Sequence, residues 1–205
     1  MATKRVRNHA NPLNFYQKMG PYNLDEMFTP FNQRIDLEIG SGRGLFLRHY
    51  AKLHPERHIV GVEVRPQMVE LLKNNITKED ISNAAILYGT GQRCLEDIVE
   101  KPMIDRCFIF HPDPWFKDRH HKRRIVQPAL LKELAKKMTP NGRVYLSTDV
   151  EVLWEDMVEQ MGTSTFFTAV KNDSFWETEY QTHWAKFSAE DRRNAFHGTW
   201  ELNQS

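Results

Sequence analysis

The stretch Phe110-His111-Pro112-Asp113-Pro114-Trp115-Phe116-Lys117-Asp118-Arg119-His120-His121-Lys122-Arg123-Arg124 holds the side chains best suited to chemistry on a polyanion. After Trp115, the cations Lys117, Arg119, Lys122, Arg123 and Arg124 face only one acid, Asp118. Cations at this density grip phosphates, and the rings of Trp115 and Phe116 offer surfaces on which bases stack. Two prolines stiffen the loop around Asp113, so its carboxylate can be fixed where positive charge develops. His120-His121 has no acidic or thiol partner at ligand spacing, so no metal is expected there.

A second chemical feature is Gly40-Ser41-Gly42-Arg43-Gly44, three glycines at alternate positions directly after Asp36-Leu37-Glu38-Ile39. Backbone lacking Cβ atoms allows a ligand to come close. Nineteen residues beyond Gly44, Glu63 closes another apolar run, where a carboxylate can accept both hydroxyls of an adenosine ribose. The GxGxG spacing departs from the GxGxxG of dinucleotide folds and weakens a nicotinamide reading. A nucleoside cofactor is the expectation.

These groups need a scaffold, and the apolar pattern supplies one. Ile35–Ile39, Ile59–Val64, Ala84–Tyr88, Cys107–Phe110 and Val144–Ser147 are expected as strands, with Phe166–Val170 and Thr199–Leu202 closing the sheet. Between them, helices are expected over Leu45–Leu53, from Pro66 to Asn74-Asn75, near Cys94–Val99, from Pro128 to Met138 and over Glu151–Met161. Thr139-Pro140-Asn141-Gly142 reads as a turn. Strands alternating with helices predict an α/β fold: a doubly wound, mostly parallel seven-stranded sheet with helices on both faces. The glycine turn and the Asp113 loop then share the carboxyl edge of the sheet, where ligands bind.

Residues 1–30 contain Lys4, Arg5, Arg7, His9, Pro12, Pro21 and Pro30 without sustained periodicity and are expected as a basic, flexible arm. Residues 31–205 are expected as one domain. Of the 205 residues, 40% are hydrophobic and 27% charged, which excludes disordered, collagen-like and membrane-spanning classes. The first residues lack the apolar segment of a secretory leader, so a cytoplasmic location is expected, with no membrane partner. Cys94 and Cys107 fit no ligand pattern and are read as buried free thiols. A net charge of +1 confines any nucleic-acid site to a local cluster. Trp154, Trp176, Trp184 and Trp200 are read as packing residues.

The segments E-I-G-S-G-R-G and G-V-E-V resemble the cofactor half of class I S-adenosylmethionine-dependent methyltransferases. The run F-x-P-D-P-W-x-K-x-R-H-x-K-R-R is similar to the signature of the tRNA (guanine-N7)-methyltransferases, and the likeness spans roughly residues 35 to 202. Ser147-Thr148-Asp149 and Thr178-Glu179-Tyr180-Gln181 fall where that family carries T-D and T-x-[FY]-E. The resemblance implies a Rossmann-like class I methyltransferase fold. It also implies S-adenosyl-L-methionine as cofactor, tRNA as partner, and methylation of a guanine N7 in the tRNA variable loop. By the same resemblance Glu38, Gly40, Gly42 and Glu63 hold the cofactor. Asp113 serves catalysis, and Lys117, Arg119, His120, Arg123, Asp149, Thr178 and Gln181 meet the tRNA. Thr90 stands near the position where the family presents an acid to the adenine amino group, and Gln181 replaces the glutamate of the C-terminal motif. Both keep hydrogen-bonding capacity without charge. Another RNA, a small-molecule acceptor, or a weakly active tRNA- and cofactor-binding paralogue are the alternatives, and a monomer or a homodimer is expected.

Overall fold

Strands form where apolar residues alternate between two faces that both need covering. The computed structural model describes residues 11–180 and 196–204. Its strands are Ile35–Ile39 (β1), Ile59–Glu63 (β2), Ala84–Tyr88 (β3), Ile104–Phe110 (β4), Met138–Thr148 (β5), Phe167–Val170 (β6) and Phe196–Leu202 (β7). They make one sheet in the order β3-β2-β1-β4-β5-β7-β6. β1 to β5 run parallel, while β7 is antiparallel to both neighbours. Every residue of β1 and β2 is buried, as a central parallel strand requires.

Among the described residues seven α-helices accompany them: Leu24–Met27 (α1), Leu45–Leu53 (α2), Pro66–Lys78 (α3), Gly91–Asp97 (α4), Pro128–Lys137 (α5), Glu151–Thr163 (α6) and Phe175–Thr178 (α7). Alternation along β4 assigns its side chains to two cores. Cys107 and Ile109 join Leu95 of α4, Leu131 of α5 and Met157 of α6. Phe108 and Phe110 join Phe46 of α2, Leu72 of α3 and Phe175 of α7. The expected two-faced winding is therefore present. Strand order reverses between β1 and β4, leaving a crevice at their carboxyl ends.

Several expectations need correction. Of the segment expected to be a loose arm, residues 11–30 are described, and part of it is packed. Met19, Leu24 and Phe28 are buried in the first core, and the Met19 N–H donates to Asp97 Oδ2 at 2.9 Å. Their spacing follows no helix or strand period, and their contacts are distant in sequence: Met19 meets Asp97 and the Phe28 ring packs on His58. The expected turn at Thr139–Gly142 lies inside β5 as a bulge, since Met138 pairs with Ile104 and the register resumes at Arg143 opposite Arg106. The Asn74-Asn75 pair does not end α3, because Ile76 still packs on the second core. Thr90 caps α4 by accepting from the Arg93 N–H at 3.3 Å, so that helix starts earlier than expected. Cys94 and Cys107 are free and buried, and burial pushes both thiols up, that of Cys94 to about 12.

Candidate active site

Each glycine after β1 has its own reason for a left-handed backbone. Gly40 turns at φ 85° with open space where a side chain would stand, and it lines the crevice. Gly42, at φ 55°, donates its N–H to Glu63 Oε2 at 2.9 Å. Gly44, at φ 68°, precedes α2, and a Cβ there would overlap the Leu72 side chain. Its function is helix packing, whereas Gly40 brings bare backbone to the ligand side.

Behind this turn two carboxylates differ in surroundings. Glu63 accepts four hydrogen bonds, all at 2.9 Å: one from Gly42 N and three from Arg65 through N, Nε and Nη2. Those contacts use all of its lone-pair directions. Glu38 is 4% exposed, and its Oε2 has no partner. Burial pushes the Glu38 carboxyl up to about 7, with Glu63 adding to the effect. The buried Ser41 hydroxyl beside Glu38 opposes that rise.

The loop after β4 approaches from the other side of the reversal point. His111 and Trp115 take left-handed backbone angles, φ 47° and 44°, which strain side chains larger than glycine. Arg124 secures the loop from below: buried, it donates from Nε to the Pro114 carbonyl at 3.0 Å and pairs through Nη1 with Asp156 of α6 at 3.1 Å. Asp113 consequently lines the same crevice as Gly40, Glu63 and Thr90, and its charge also acts on Arg65.

Beyond Trp115 the chain makes a 3-10 turn, Asp118–Arg123. Lys117, Arg119 and Lys122 are exposed there, with Phe116 68% exposed beside them. Arg123 lies over the Trp115 ring at 4.9 Å, and the His120 ring meets that indole edge-on at 5.8 Å. Partial burial disfavours the His120 imidazolium, and the charges of Arg123, Arg119, Lys117 and Lys122 add to this. Trp115 and Arg123 line the crevice, and the exposed cations continue along the turn beyond it.

The crevice brings together Gly40, Glu63, Thr90, Asp113 and Arg123 of the expected site, with Gly42 and Glu38 directly behind. Asp149 sits beside His111 at the end of β5. Lys117, Arg119 and His120 do not line the crevice. Thr178 uses its hydroxyl on the Ser174 carbonyl at 2.9 Å within α7. Gln181 and Trp184 lie outside the described residues. Arg65 went unnoticed in the sequence, although a cation two residues after Glu63 and just before Pro66 was a local signal. The contact between His111 and Tyr180 spans 69 residues and had no local signal.

These residues fit an adenosine-type cofactor bearing an ammonium group. Gly40 leaves open space, Glu63 lines the crevice, and Glu38 keeps a buried Oε2 without a partner. Among the described residues, no group of three or more His, Cys, Asp or Glu is arranged to hold a metal ion. No helix among them is long and apolar enough to cross a membrane.

A family model described as "Putative methyltransferase" matches residues 32–199. The tRNA (guanine-N(7)-)-methyltransferase of Microcystis aeruginosa is 34% identical over 189 residues, which are 90% of this chain and 85% of the relative. That of Nitrosococcus oceani is 36% identical over 188 residues, covering 89% and 75%. Among solved structures, the 16S rRNA methyltransferase KamB superposes with a TM-score of 0.64 over 92% of this chain and 96% of its own. A SAM-dependent O-methyltransferase from Thermotoga maritima gives 0.56 over 88% and 63%. Both are 12% identical to this chain and speak for the fold alone. Identity of about a third along most of the sequence, on a sheet wound in this order, means that the chain belongs to the tRNA (guanine-N7-)-methyltransferase family.

Proposed function

We propose that this protein methylates the N7 atom of a guanine in the tRNA variable loop, using S-adenosyl-L-methionine, in the cytoplasm. The observation that carries this reading is the shared crevice, with the glycine turn and Glu63 on one wall and Asp113 on the other.

Glu38, Gly40, Gly42, Glu63 and Thr90 are the residues assigned to the cofactor. Glu38 suits the ammonium end because its buried oxygen lacks a partner, and Glu63 suits the ribose hydroxyls. Thr90 reaches the crevice wall as a neutral group for the adenine. When bound, the cofactor supplies an electrophilic methyl group. Guanine N7 brings an in-plane lone pair and no proton, so the acceptor needs no general base. The chain must hold the base in line and exclude water. As N7 acquires the methyl, positive charge spreads over the purine, and a fixed Asp113 carboxylate stabilises it. Lys117 and Arg119 offer exposed phosphate contacts, while Arg123 backs Trp115 as a stacking surface. His120, Asp149, Thr178 and Gln181 complete the assigned tRNA contacts.

The test is incubation of purified protein with unmodified tRNA and methyl-labelled donor, followed by mass-spectrometric mapping. One N7-methylguanosine in the variable loop is expected. Label on another nucleotide, or none, contradicts the assignment.

A further inference from the structure

His111 begins the loop that carries Asp113, and its side chain is only 2% exposed. A buried imidazole needs partners for its nitrogens. Nε2 lies 2.8 Å from Tyr180 Oη, Nδ1 lies 3.4 Å from Asp149 Oδ1, and Tyr180 Oη lies 2.8 Å from Ser147 Oγ. Donor chemistry fixes the Asp149 end of this chain. A carboxylate only accepts, so Nδ1 carries the hydrogen and donates to Asp149. Nε2 and the Tyr180 hydroxyl share the next hydrogen bond, and the Tyr180 and Ser147 hydroxyls share the one after it. The proton at Nδ1 is assigned by its partner.

The relay joins three parts of the fold that meet beside the crevice. His111 roots the Asp113 loop and lines the crevice itself, Ser147 and Asp149 end β5, and Tyr180 follows α7. Backbone reinforces the join, since the His111 N–H donates to the Ser147 carbonyl at 2.8 Å. Left-handed geometry at His111 directs the ring inward, and a bulky residue persists there only if its surroundings over-determine it.

We propose that His111 is a positioning residue for the methyl acceptor, holding Asp149 and Tyr180 in fixed relation to Asp113. The inference rests on the tRNA reading above. His111 acts through its two partners, which hold the frame that the entering base meets.

Three variants separate hydrogen bonding from packing. His111→Phe fills the space without the bonds, His111→Asn retains a donor near Nδ1, and Tyr180→Phe removes the hydroxyl arm. With tRNA as substrate, His111→Phe is expected to lower kcat by about ten- to a hundredfold, the loss typical of a slightly misplaced reactant. Its KM for the donor and its calorimetric affinity for S-adenosylhomocysteine should stay unchanged, which also shows that the fold survives. His111→Asn should recover part of kcat. Tyr180→Phe should add little in the His111→Phe background, because both sever one relay. Nitrogen NMR of the wild type should show His111 carrying a proton at Nδ1. Unchanged kcat in His111→Phe, or a proton at Nε2 alone, overturns the role of His111. Failure of the wild type to methylate tRNA instead overturns the functional reading on which it rests.

Discussion

Replacing Glu38 by glutamine should make the cofactor-free protein more stable, and increasingly so as pH rises. Glu38 is 4% exposed, Oε2 lacks a partner, and burial raises its pKa from 4.5 to about 7. Because the folded state binds this proton more tightly than the unfolded state, the contribution to stability is complete below pH 4.5. It falls as pH rises toward 7 and stays lost above that. At about 1.4 kcal/mol per tenfold change in proton affinity, the loss amounts to roughly 2 to 4 kcal/mol. Glutamine is nearly isosteric and never ionises, so it should remove that pH dependence. Urea unfolding of wild type and Glu38→Gln at pH 5 and pH 8, without cofactor, reads the difference directly. The two proteins should diverge by that amount between the two conditions, with the variant the more stable at pH 8. Parallel pH profiles would refute the argument. A charge that weakens the empty protein makes sense if a cationic ligand compensates it. The same variant should therefore bind S-adenosylmethionine more weakly at pH 8, despite its gain in stability.

The Arg65 guanidinium makes two of the four hydrogen bonds on Glu63 and is 39% exposed. Since ribose hydroxyls must compete with that guanidinium, Arg65→Ala should bind S-adenosylhomocysteine about two- to fivefold more tightly by calorimetry, the scale of a partly exposed ion pair. Weaker binding would mean that Arg65 holds the cofactor itself. Lys117→Ala and Arg119→Ala should each reduce the salt dependence of tRNA binding by about one counterion, measured by filter binding across salt concentrations. Arg123→Ala should additionally loosen Trp115 and alter its fluorescence, because the guanidinium lies over that ring. An unchanged slope in the lysine and arginine variants would assign those charges to solvation alone.

Periodic apolar residues made the sheet legible: Phe108 and Phe110 against Cys107 and Ile109 are enough to identify a strand covered on both faces. The glycine turn, Glu63 and the Asp113 loop were legible because each is contiguous and strand order brings them together. Features that depend on contacts distant in sequence were hidden. Phe28 is 1% exposed yet belongs to no periodic run, so its segment looked like a loose arm. The packing role of Gly44 depends on Leu72, 28 residues on, whose side chain stands where a Cβ would be. Tyr180 lies in a motif whose Thr178 and Gln181 were expected to meet the tRNA, and only folding brings its own hydroxyl to His111.

The most direct test of the central claim is a comparison of wild type with Asp113→Ala in one experiment. Transfer of labelled methyl to unmodified tRNA and S-adenosylhomocysteine affinity would be measured on the same preparations. A carboxylate that stabilises the forming charge predicts loss of transfer by a hundredfold or more, with cofactor affinity nearly intact. Full transfer by Asp113→Ala would contradict the account.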